Sequence, residues 1–308
     1  MKKLMQKVTG VALATLMAAS SAGLGVFAAE DGADKIVNIG VTDSLGGVNP
    51  LMMDQTEINK YAADLQFLPL VELDPELNFQ PMLADSVTTE DNQTFTVHID
   101  DAATWSDGTP VTAEDVEFTI LRLASPVVNN TTMMLYAFEG IGDDGFTEEG
   151  ATSIDGIKVV DDKTITFTAK SPMALTTFEN TYGRYIHTLP KHVLADYSDE
   201  ELMTLDWFNH PDVISGPYFL TDYDTDHYVS YEANADYWKG APKIGKLNLK
   251  IVEGSQIYSG LQSGEIDITH HTMTAIPQED YESIESLDNV KTVYGLPITN
   301  QSACIQTA

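Results

Sequence analysis

Cysteine and basic residues are scarce in this sequence of 308 residues. The single cysteine, Cys304, excludes a disulfide framework within the chain. We interpret Cys304 as a small buried apolar side chain, with a reactive thiol as the alternative. Only 16 basic side chains accompany 47 acidic ones, so the formal net charge is −31. A surface this acidic repels nucleic acids and anionic lipids, and neither is an expected partner.

Catalytic motifs are also missing. The sequence has no GxSxG, HExxH, GxxxxGK or GxGxxG pattern. Neighbouring carboxylates occur by chance among 47 acidic residues, and we interpret them as solvated surface. The adjacent histidines His270 and His271 favour strand-end structure over a metal site, because consecutive side chains on a strand point to opposite faces. We therefore predict a protein that is not an enzyme, with no catalytic residue, no metal and no cofactor.

The N terminus has the pattern of a secretory signal peptide at 1–28. Three lysines precede an apolar run at 8–19, and small residues follow. The run is shorter than the roughly 20 apolar residues that a membrane-spanning helix needs. Small residues at Val26 and Ala28 predict cleavage after Ala28. No cysteine lies near this position, so we expect an exported protein without a lipid-anchor cysteine.

The remaining chain has the composition of a folded protein. It retains 13 basic against 47 acidic residues, yet 43% of the whole sequence is hydrophobic. The charge therefore indicates a solvated shell over a real core rather than disorder. About 280 residues correspond to roughly two domains.

Hydrophobic periodicity predicts a mixture of strands and helices. Alternation or a β-rich run predicts strands, and an apolar stripe with terminal signals predicts helices. Thr112 and Asp115 have the spacing of a capping pair, and Gly264 is a typical C-terminal cap. The predicted strands are 35–42, 94–99, 164–169, two within 218–233, 246–252 and 266–269. The predicted helices are 55–70, 113–124 and 255–263.

Two segments have the composition of recognition sites. Arg184, one of two arginines in the chain, lies between Tyr182 and Tyr185. An arginine flanked by aromatic rings can hold a ligand carboxylate, and an exposed ion pair with an acidic neighbour is the alternative. The apolar run MMLYAF at 133–138 suits an adaptable pocket, but it is equally typical of plain core.

Five motifs together resemble one family. The match begins at WSDGTPVTAEDVEF, and four further motifs follow in the family's order. The chain is thereby similar to the family 5 extracytoplasmic solute-binding proteins of ABC importers, which include oligopeptide-, dipeptide- and nickel-binding proteins. Within these motifs, Asp107-Gly108 is interpreted as a tight turn and Gly216-Pro217 as the start of a strand. Thr112 is interpreted as a helix start and Gly264 as a helix end. The motifs lie at 105–118, 190–194, 215–220, 232–243 and 261–268.

The resemblance implies a fold and a division into domains. We expect an α/β, bilobal periplasmic-binding-protein fold of type II-like topology, with an inserted α+β domain and truncation before most of the second lobe. The first ligand-binding lobe would be discontinuous, at 29–70 and 189–297. The inserted domain would occupy 71–188, and the second lobe would begin at 298–308.

The resemblance also implies ligand contacts and partners. The expected ligand-binding residues come from the SLGGVNP loop and two segments of the inserted domain. The expected function is capture of short peptides and delivery to membrane permease and ATPase subunits, by a monomer at the periplasmic or extracellular face of the membrane. The candidate ligand-binding residues are Leu45, Asn49, Tyr136, Tyr182, Arg184 and Tyr185.

Three alternatives stay open from the sequence alone. Within the same family, a nickel chelate or an oligosaccharide could replace the peptide. A secreted hydrolase would need catalytic residues beyond Ala308. A ligand-sensing module would dock on a membrane receptor instead of a transporter.

Overall fold

The computed structural model describes residues 35–293 apart from 53, 55 and 134. The predicted signal peptide at 1–28 with its cleavage after Ala28, Cys304 and the segment 298–308 lie outside the described residues. None of the helices in the described part of the chain is long and apolar enough to cross a membrane.

Helices and strands are interspersed along the described chain, as the predicted α/β class requires. The strands are β1 (Ile36–Val41), β2 (Val71–Leu73), β3 (Phe79–Pro81), β4 (Ala84–Thr89), β5 (Thr94–Ile99), β6 (Ile157–Val159), β7 (Thr164–Thr168), β8 (Tyr218–Asp224), β9 (Tyr228–Ala233), β10 (Lys246–Ile251) and β11 (Ile268–Thr269). The helices are α1 (Glu57–Asp64), α2 (Ala113–Leu123), α3 (Leu175–Phe178), α4 (Lys191–Leu194), α5 (Asp199–Met203), α6 (Gly254–Ser263) and α7 (Tyr281–Glu285). A π-helix at Glu179–Gly183 continues α3.

A five-stranded mixed sheet, the central sheet, has the strand order β11-β1-β10-β9-β8. Strand β1 lies between β10 and β11 and runs parallel to both. The other pairs, β10 with β9 and β9 with β8, are antiparallel. The strands predicted at 35–42, 246–252 and within 218–233 are thus confirmed. Strand β11 is shorter than the predicted 266–269, because the backbone before it has other partners. The Ile266 N–H donates to the Gly260 carbonyl of α6 at 3.0 Å, and the Asn38 N–H of β1 donates to the Asp267 side chain at 2.8 Å.

A four-stranded antiparallel sheet, the outer sheet, has the order β4-β5-β7-β6. The alternating side chains of β5 and β7 bury one face completely, which confirms the strands predicted from that alternation. Helix α2 begins at the predicted capping pair, where the Thr112 N–H donates to the Asp115 carboxylate at 2.8 Å. The predicted turn at Gly108 is confirmed by its φ of +86°, which favours glycine.

The apolar core of the outer sheet extends beyond the outer sheet itself. Its buried cluster includes Phe95 and Phe167 from the strands, and also Leu189, Leu194 and Phe208 from the segment after the sheet. A second cluster packs α1 against the central sheet, and a third joins α6 to α7. The proposed boundary at 188 therefore runs through continuous packing, and the domain division stays a prediction.

Helix α1 is shorter than the predicted 55–70, because its last carbonyls are used by another segment. It ends at Asp64, five residues before Pro69. In a longer helix the Leu65 carbonyl would accept from residue 69, but proline has no N–H to donate. That carbonyl instead accepts from the Tyr218 N–H at 2.9 Å, and the Gln66 carbonyl accepts from the Gly216 N–H at 2.8 Å. The segment that opens β8 therefore ends the helix.

Glycine is required where this segment meets the helix end. A Cβ atom on Gly216 would lie 2.4 Å from the Leu65 carbonyl oxygen, a backbone atom that cannot move independently. We expect Gly216→Ala to lower the free energy of unfolding by about 2 kcal/mol, since overpacking against fixed atoms costs in this range. Urea unfolding followed by circular dichroism would measure it. Gly47→Ala is the matched control, because nothing lies within 4 Å of its Cβ position. Equal effects of both substitutions would contradict the close approach at Gly216.

Candidate functional site

The candidate site lies at the edge of the central sheet where its parallel strands end. Strands β1 and β11 run in the same direction, so the segments that follow them meet at one edge. In open α/β sheets, ligands bind outside the carboxyl ends of the strands. The two segments are tied together, because the Thr42 N–H donates to the Met273 carbonyl at 2.8 Å and the Ala275 N–H donates to the Thr42 hydroxyl at 2.8 Å.

An aromatic row forms one part of this edge. The ring of Tyr61, on α1, lies 4.4 Å from the ring of His270, which in turn lies 4.7 Å from the ring of His271. Both histidines come after β11 ends at Thr269, so the rule of opposite strand faces does not apply and their rings lie side by side. Among the described residues, no three His, Cys, Asp or Glu side chains are grouped so that they could hold a metal ion.

Burial keeps the His270 ring neutral. Loss of solvation, with a further contribution from His271, lowers the pKa of His270 to about 3. In the unfolded chain a histidine titrates near 6.5. The unfolded state therefore binds more protons than the folded state between pH 6.5 and about 3. Stability contributed at neutral pH is lost as the pH falls through this window.

The lowered pKa of His270 predicts how the free energy of unfolding depends on pH. We expect the free energy of unfolding of His270→Asn to decrease less than that of the wild type between pH 7 and pH 5. His227→Gln should have the opposite effect, because Asp224 raises the pKa of the exposed His227. Denaturant unfolding at both pH values would measure the two slopes. Parallel curves for wild type and His270→Asn would show that His270 is not buried in the neutral form.

A buried ion network lies beside the aromatic row. Lys60 of α1 is 0% exposed; its ammonium group lies 2.6 Å from the Asp64 carboxylate and also contacts Glu72 of β2. The Arg184 Nε–H donates to the other Glu72 oxygen at 2.7 Å. His187 Nε2 lies 2.8 Å from Asp64. These five side chains, here called the ion network, join α1 to the two points where the chain enters and leaves the proposed inserted domain.

Mutual attraction keeps Lys60, Asp64 and Arg184 charged despite their burial. Desolvation alone would lower the pKa of Lys60, but the charges of Asp64 and Glu72 raise it above its ordinary value. Desolvation would likewise raise the pKa of Asp64, yet Lys60 and His187 lower it. For Arg184, desolvation alone would lower the pKa, but the carboxylate of Glu72 together with Tyr185 and Tyr61 raises it. Each charge therefore depends on its partners, as buried ion pairs generally do.

Glu72 has the largest predicted effect, since it bridges both cations. We expect Glu72→Ala to lower the free energy of unfolding by about 3 kcal/mol or more, because it leaves Lys60 and Arg184 buried without their shared carboxylate. Glu76→Ala, on the exposed turn of the same hairpin, is the control and should change stability little. Chemical denaturation would measure both. A loss below 1 kcal/mol for Glu72→Ala would contradict the dependence of the ion network on this bridge.

Two of the predicted binding residues lie at the candidate site. The Tyr185 ring lies 5.7 Å from the Lys60 ammonium group and 5.6 Å from the Arg184 guanidinium group, and its hydroxyl donates to Glu57 at 3.4 Å. Arg184 itself is only 6% exposed and is held by Glu72, with a second hydrogen bond to Asn180 at 3.3 Å. Arg184 therefore forms an ion pair with an acidic side chain, as the alternative prediction states, but this pair is buried instead of exposed.

Tyr182 and Tyr136 lie away from the ion network. The ring of Tyr182 is buried in the aromatic core of the outer sheet, 4.6 Å from the ring of Phe138. Its burial, together with the neighbouring Tyr136, raises its pKa to about 12. Tyr136 is 48% exposed, whereas Leu135 and Phe138 beside it are fully buried. The described part of 133–138 is thus mainly core with one exposed ring.

The two predicted residues of the SLGGVNP loop have structural contacts. Leu45 is buried in the cluster between α1 and the central sheet. Asn49 is partly exposed, and its side-chain amide donates to the Leu202 carbonyl at 2.9 Å while its oxygen accepts from the Leu51 N–H at 3.0 Å. Both side chains fix the path of the loop. Their role in ligand binding stays a prediction.

Residues of α1 were missed as site residues by sequence reasoning. Glu57, Lys60 and Tyr61 lie on α1, where the sequence pattern indicates an amphipathic helix but no binding site. Lys60 and Asp64 have the i, i+4 spacing of a helical ion pair, and basic residues are scarce in this chain, so this pair was a readable signal. No local sequence pattern indicates Glu72 as a site residue, because Lys60 and Arg184 are distant from it in sequence.

The described residues also form one open cavity of about 420 Å³ between the β2–β3 hairpin and the π-helix. Asn180 lines this cavity and accepts the hydrogen bond from Arg184, which connects the cavity wall to the ion network. The lining residues are Leu73, Leu77, Phe79, Thr176, Thr177, Asn180 and Thr181.

Comparison with known proteins gives a consistent result. The family model described as bacterial extracellular solute-binding proteins, family 5 middle, matches residues 78–302. A putative ABC transporter peptide-binding protein of Brucella ovis is 32% identical over 209 residues, which cover 66% of this chain and 36% of that protein. The periplasmic oligopeptide-binding protein OppA of Salmonella typhimurium is 26% identical over 256 residues, which cover 77% of this chain and 44% of OppA.

One solved structure has a fold similar to that of this chain. The ABC transporter substrate-binding protein CtaP of Listeria monocytogenes superposes with a TM-score of 0.63 and 29% identity, over 84% of this chain and 47% of CtaP. The chain therefore spans less than half the length of each of these three proteins.

Proposed function

Because the chain belongs to the family 5 bacterial extracellular solute-binding proteins, we propose that it is part of a receptor that binds short peptides and delivers them to an ABC importer. The observation that carries this proposal is the family match over 78–302, in agreement with the five ordered motifs of the sequence. The names of the Brucella and Salmonella relatives as peptide-binding proteins favour peptides as the ligand class.

The geometry of the candidate site supports binding over catalysis. The ionisable side chains of the ion network contact one another, so they form a fixed scaffold instead of an acid, base or nucleophile poised for reaction. Around this scaffold lie the rings of Tyr61 and Tyr185. Aromatic rings with a few fixed polar groups are typical of sites that hold small ligands.

The domain division belongs to the same proposal. We infer a first lobe at 29–70 and 189–297 with an inserted domain at 71–188. The separate sheets support this division, because the outer sheet lies within the proposed insertion and the central sheet within the proposed first lobe. The ion network joins the two parts, with Glu72 and Arg184 just inside the insertion. Closure of a second lobe over the sheet edge would complete the ligand site.

The proposed partners follow from the importer assignment. We infer a monomeric receptor at the extracytoplasmic face of the membrane that docks on permease subunits, which act with ATPase subunits. The net charge of −31 supports an absence of nucleic-acid binding, since phosphate backbones would be repelled.

Calorimetric titration would test the proposed ligand class. We expect the protein, expressed from its complete gene without the signal peptide, to release or absorb heat with short peptides of two to five residues. A nickel–histidine chelate and a linear oligosaccharide are the matched comparison ligands. Heat with either of these and none with any peptide would overturn the peptide assignment while leaving the family unchanged.

A further inference from the structure

The cavity between the β2–β3 hairpin and the π-helix has the features of a second binding site. Its volume of about 420 Å³ lies within the range of about 300–1,000 Å³ that is typical of sites for small molecules. The described residues that line it are all uncharged. The cavity therefore differs from the candidate site at the sheet edge, where the ion network gathers charged side chains.

The two walls of this cavity differ in chemistry. The hairpin wall is apolar, since Leu73 and Phe79 lie opposite each other in the register of β2 and β3 and Leu77 lies in the turn between them. The helix wall is polar, because α3 and the π-helix contribute hydroxyl and amide side chains to it. A ligand that fits both walls needs one apolar face and one edge rich in hydrogen-bonding groups. The polar residues are Thr176, Thr177, Asn180 and Thr181.

The polar wall has hydrogen-bonding groups to offer a ligand. Thr176 and Thr177 are exposed and Thr181 is partly exposed, and within the described part of the chain their hydroxyl groups form no hydrogen bond. Asn180 accepts from Arg184 through its side-chain oxygen at 3.3 Å, and the described residues leave its amide N–H groups without an acceptor. Because a hydroxyl group both donates and accepts, this wall matches a ligand that itself has several hydroxyl groups.

A strained turn holds an apolar side chain at the cavity. Leu77 has a φ of +63°, in the left-handed region that bulky residues rarely adopt. The Asp74 carboxylate fixes this turn, because it accepts from the N–H groups of Glu76 at 3.0 Å and Asn78 at 2.8 Å. The Leu77 N–H donates to the Asp74 carbonyl at 2.9 Å. Backbone strain of this kind clusters at ligand sites, so a leucine where glycine would be unstrained indicates a role for its side chain.

The π-helix packs directly on the hairpin. A Cβ atom on Gly183 would lie 2.7 Å from a methyl group of Val71, and the Leu70 N–H donates to the Gly183 carbonyl at 2.9 Å. These contacts fix the end of the π-helix against β2, so the two walls keep their separation without a ligand. A π-helix is rare and frequently occurs at a functional site. A preformed cavity also reduces the entropy that is lost when a ligand binds.

We propose that this cavity binds an uncharged sugar, at a site distinct from the proposed peptide site. The C–H face of a sugar ring would pack against Phe79 and the two leucines, and its hydroxyl groups would exchange hydrogen bonds with the threonines and Asn180. The uncharged lining would leave the charged termini of a peptide without partners, which favours a sugar over a peptide here. This inference does not depend on the proposed peptide-binding function.

Ligand-observed NMR titration would test the proposal with three uncharged disaccharides: maltose, cellobiose and N,N′-diacetylchitobiose. We expect at least one of them to bind to the protein expressed from its complete gene without the signal peptide. Leu77→Gly should weaken that binding about fivefold or more, because it removes part of the apolar wall. The same substitution should leave the midpoint of urea unfolding unchanged or raise it, since glycine adopts a positive φ without strain. Weaker sugar binding without a loss of stability distinguishes a ligand contact from a structural role.

Two substitutions on the polar wall provide an independent measurement. Thr177→Val and Thr181→Val keep the shape of the side chain and remove its hydroxyl group. Each should weaken the binding of the same disaccharide about twofold to tenfold, the range expected for one hydrogen bond. Thr96→Val is the matched control, because Thr96 lies on β5 and does not line the cavity. It should bind the disaccharide as the wild type does.

Four outcomes would overturn the proposal. The first is that none of the three disaccharides binds to the wild type. The second is equal affinity of the wild type and Leu77→Gly for a disaccharide, which would place the sugar elsewhere. The third is displacement of the bound disaccharide by trialanine, which would show that sugar and peptide share one site. The fourth is weaker binding of pentaalanine by Leu77→Gly without any binding of sugar, which would assign the cavity to the peptide site.

Discussion

The fully buried ammonium group of Lys60 is the constraint on which the arrangement of this site depends. A lysine that stays charged in a protein interior needs compensating charges, and here Asp64 and Glu72 provide them. Asp64 lies one turn further along α1, whereas Glu72 lies on strand β2. The charge of Lys60 thus fixes the position of β2 against α1.

Much of the secondary structure could be predicted because its causes are local. Strands β5 and β7 alternate apolar and polar residues, and α2 has a capping pair next to an apolar stripe. The end of α1 could not be placed, because the N–H groups of Gly216 and Tyr218 that capture its last carbonyls are far away in sequence. Local patterns contain no information on such a distant donor.

The candidate site was less predictable than the fold. An arginine between two tyrosines was a readable pattern, and Arg184 with Tyr185 does lie at the site. The same pattern could not show that Glu72 holds the arginine, or that Tyr182 turns into the core while Tyr185 turns towards α1. The π-helix at Glu179–Gly183 sets the direction of these side chains, and no pattern in the sequence indicates a π-helix there.

The parallel pairing of β1 has a consequence for how the chain folds. Ile36 pairs with Lys246, and Ile39 pairs with Ile268, so the first strand waits for partners that are synthesised much later. Such non-local pairing gives a high contact order and slows folding, because a large loop must close before any contact compensates for its entropy. The outer sheet, by contrast, is complete by Thr168. Strand β1 therefore cannot complete its pairing until the segment that contains β10 and β11 has been synthesised, whereas the outer sheet can form before then.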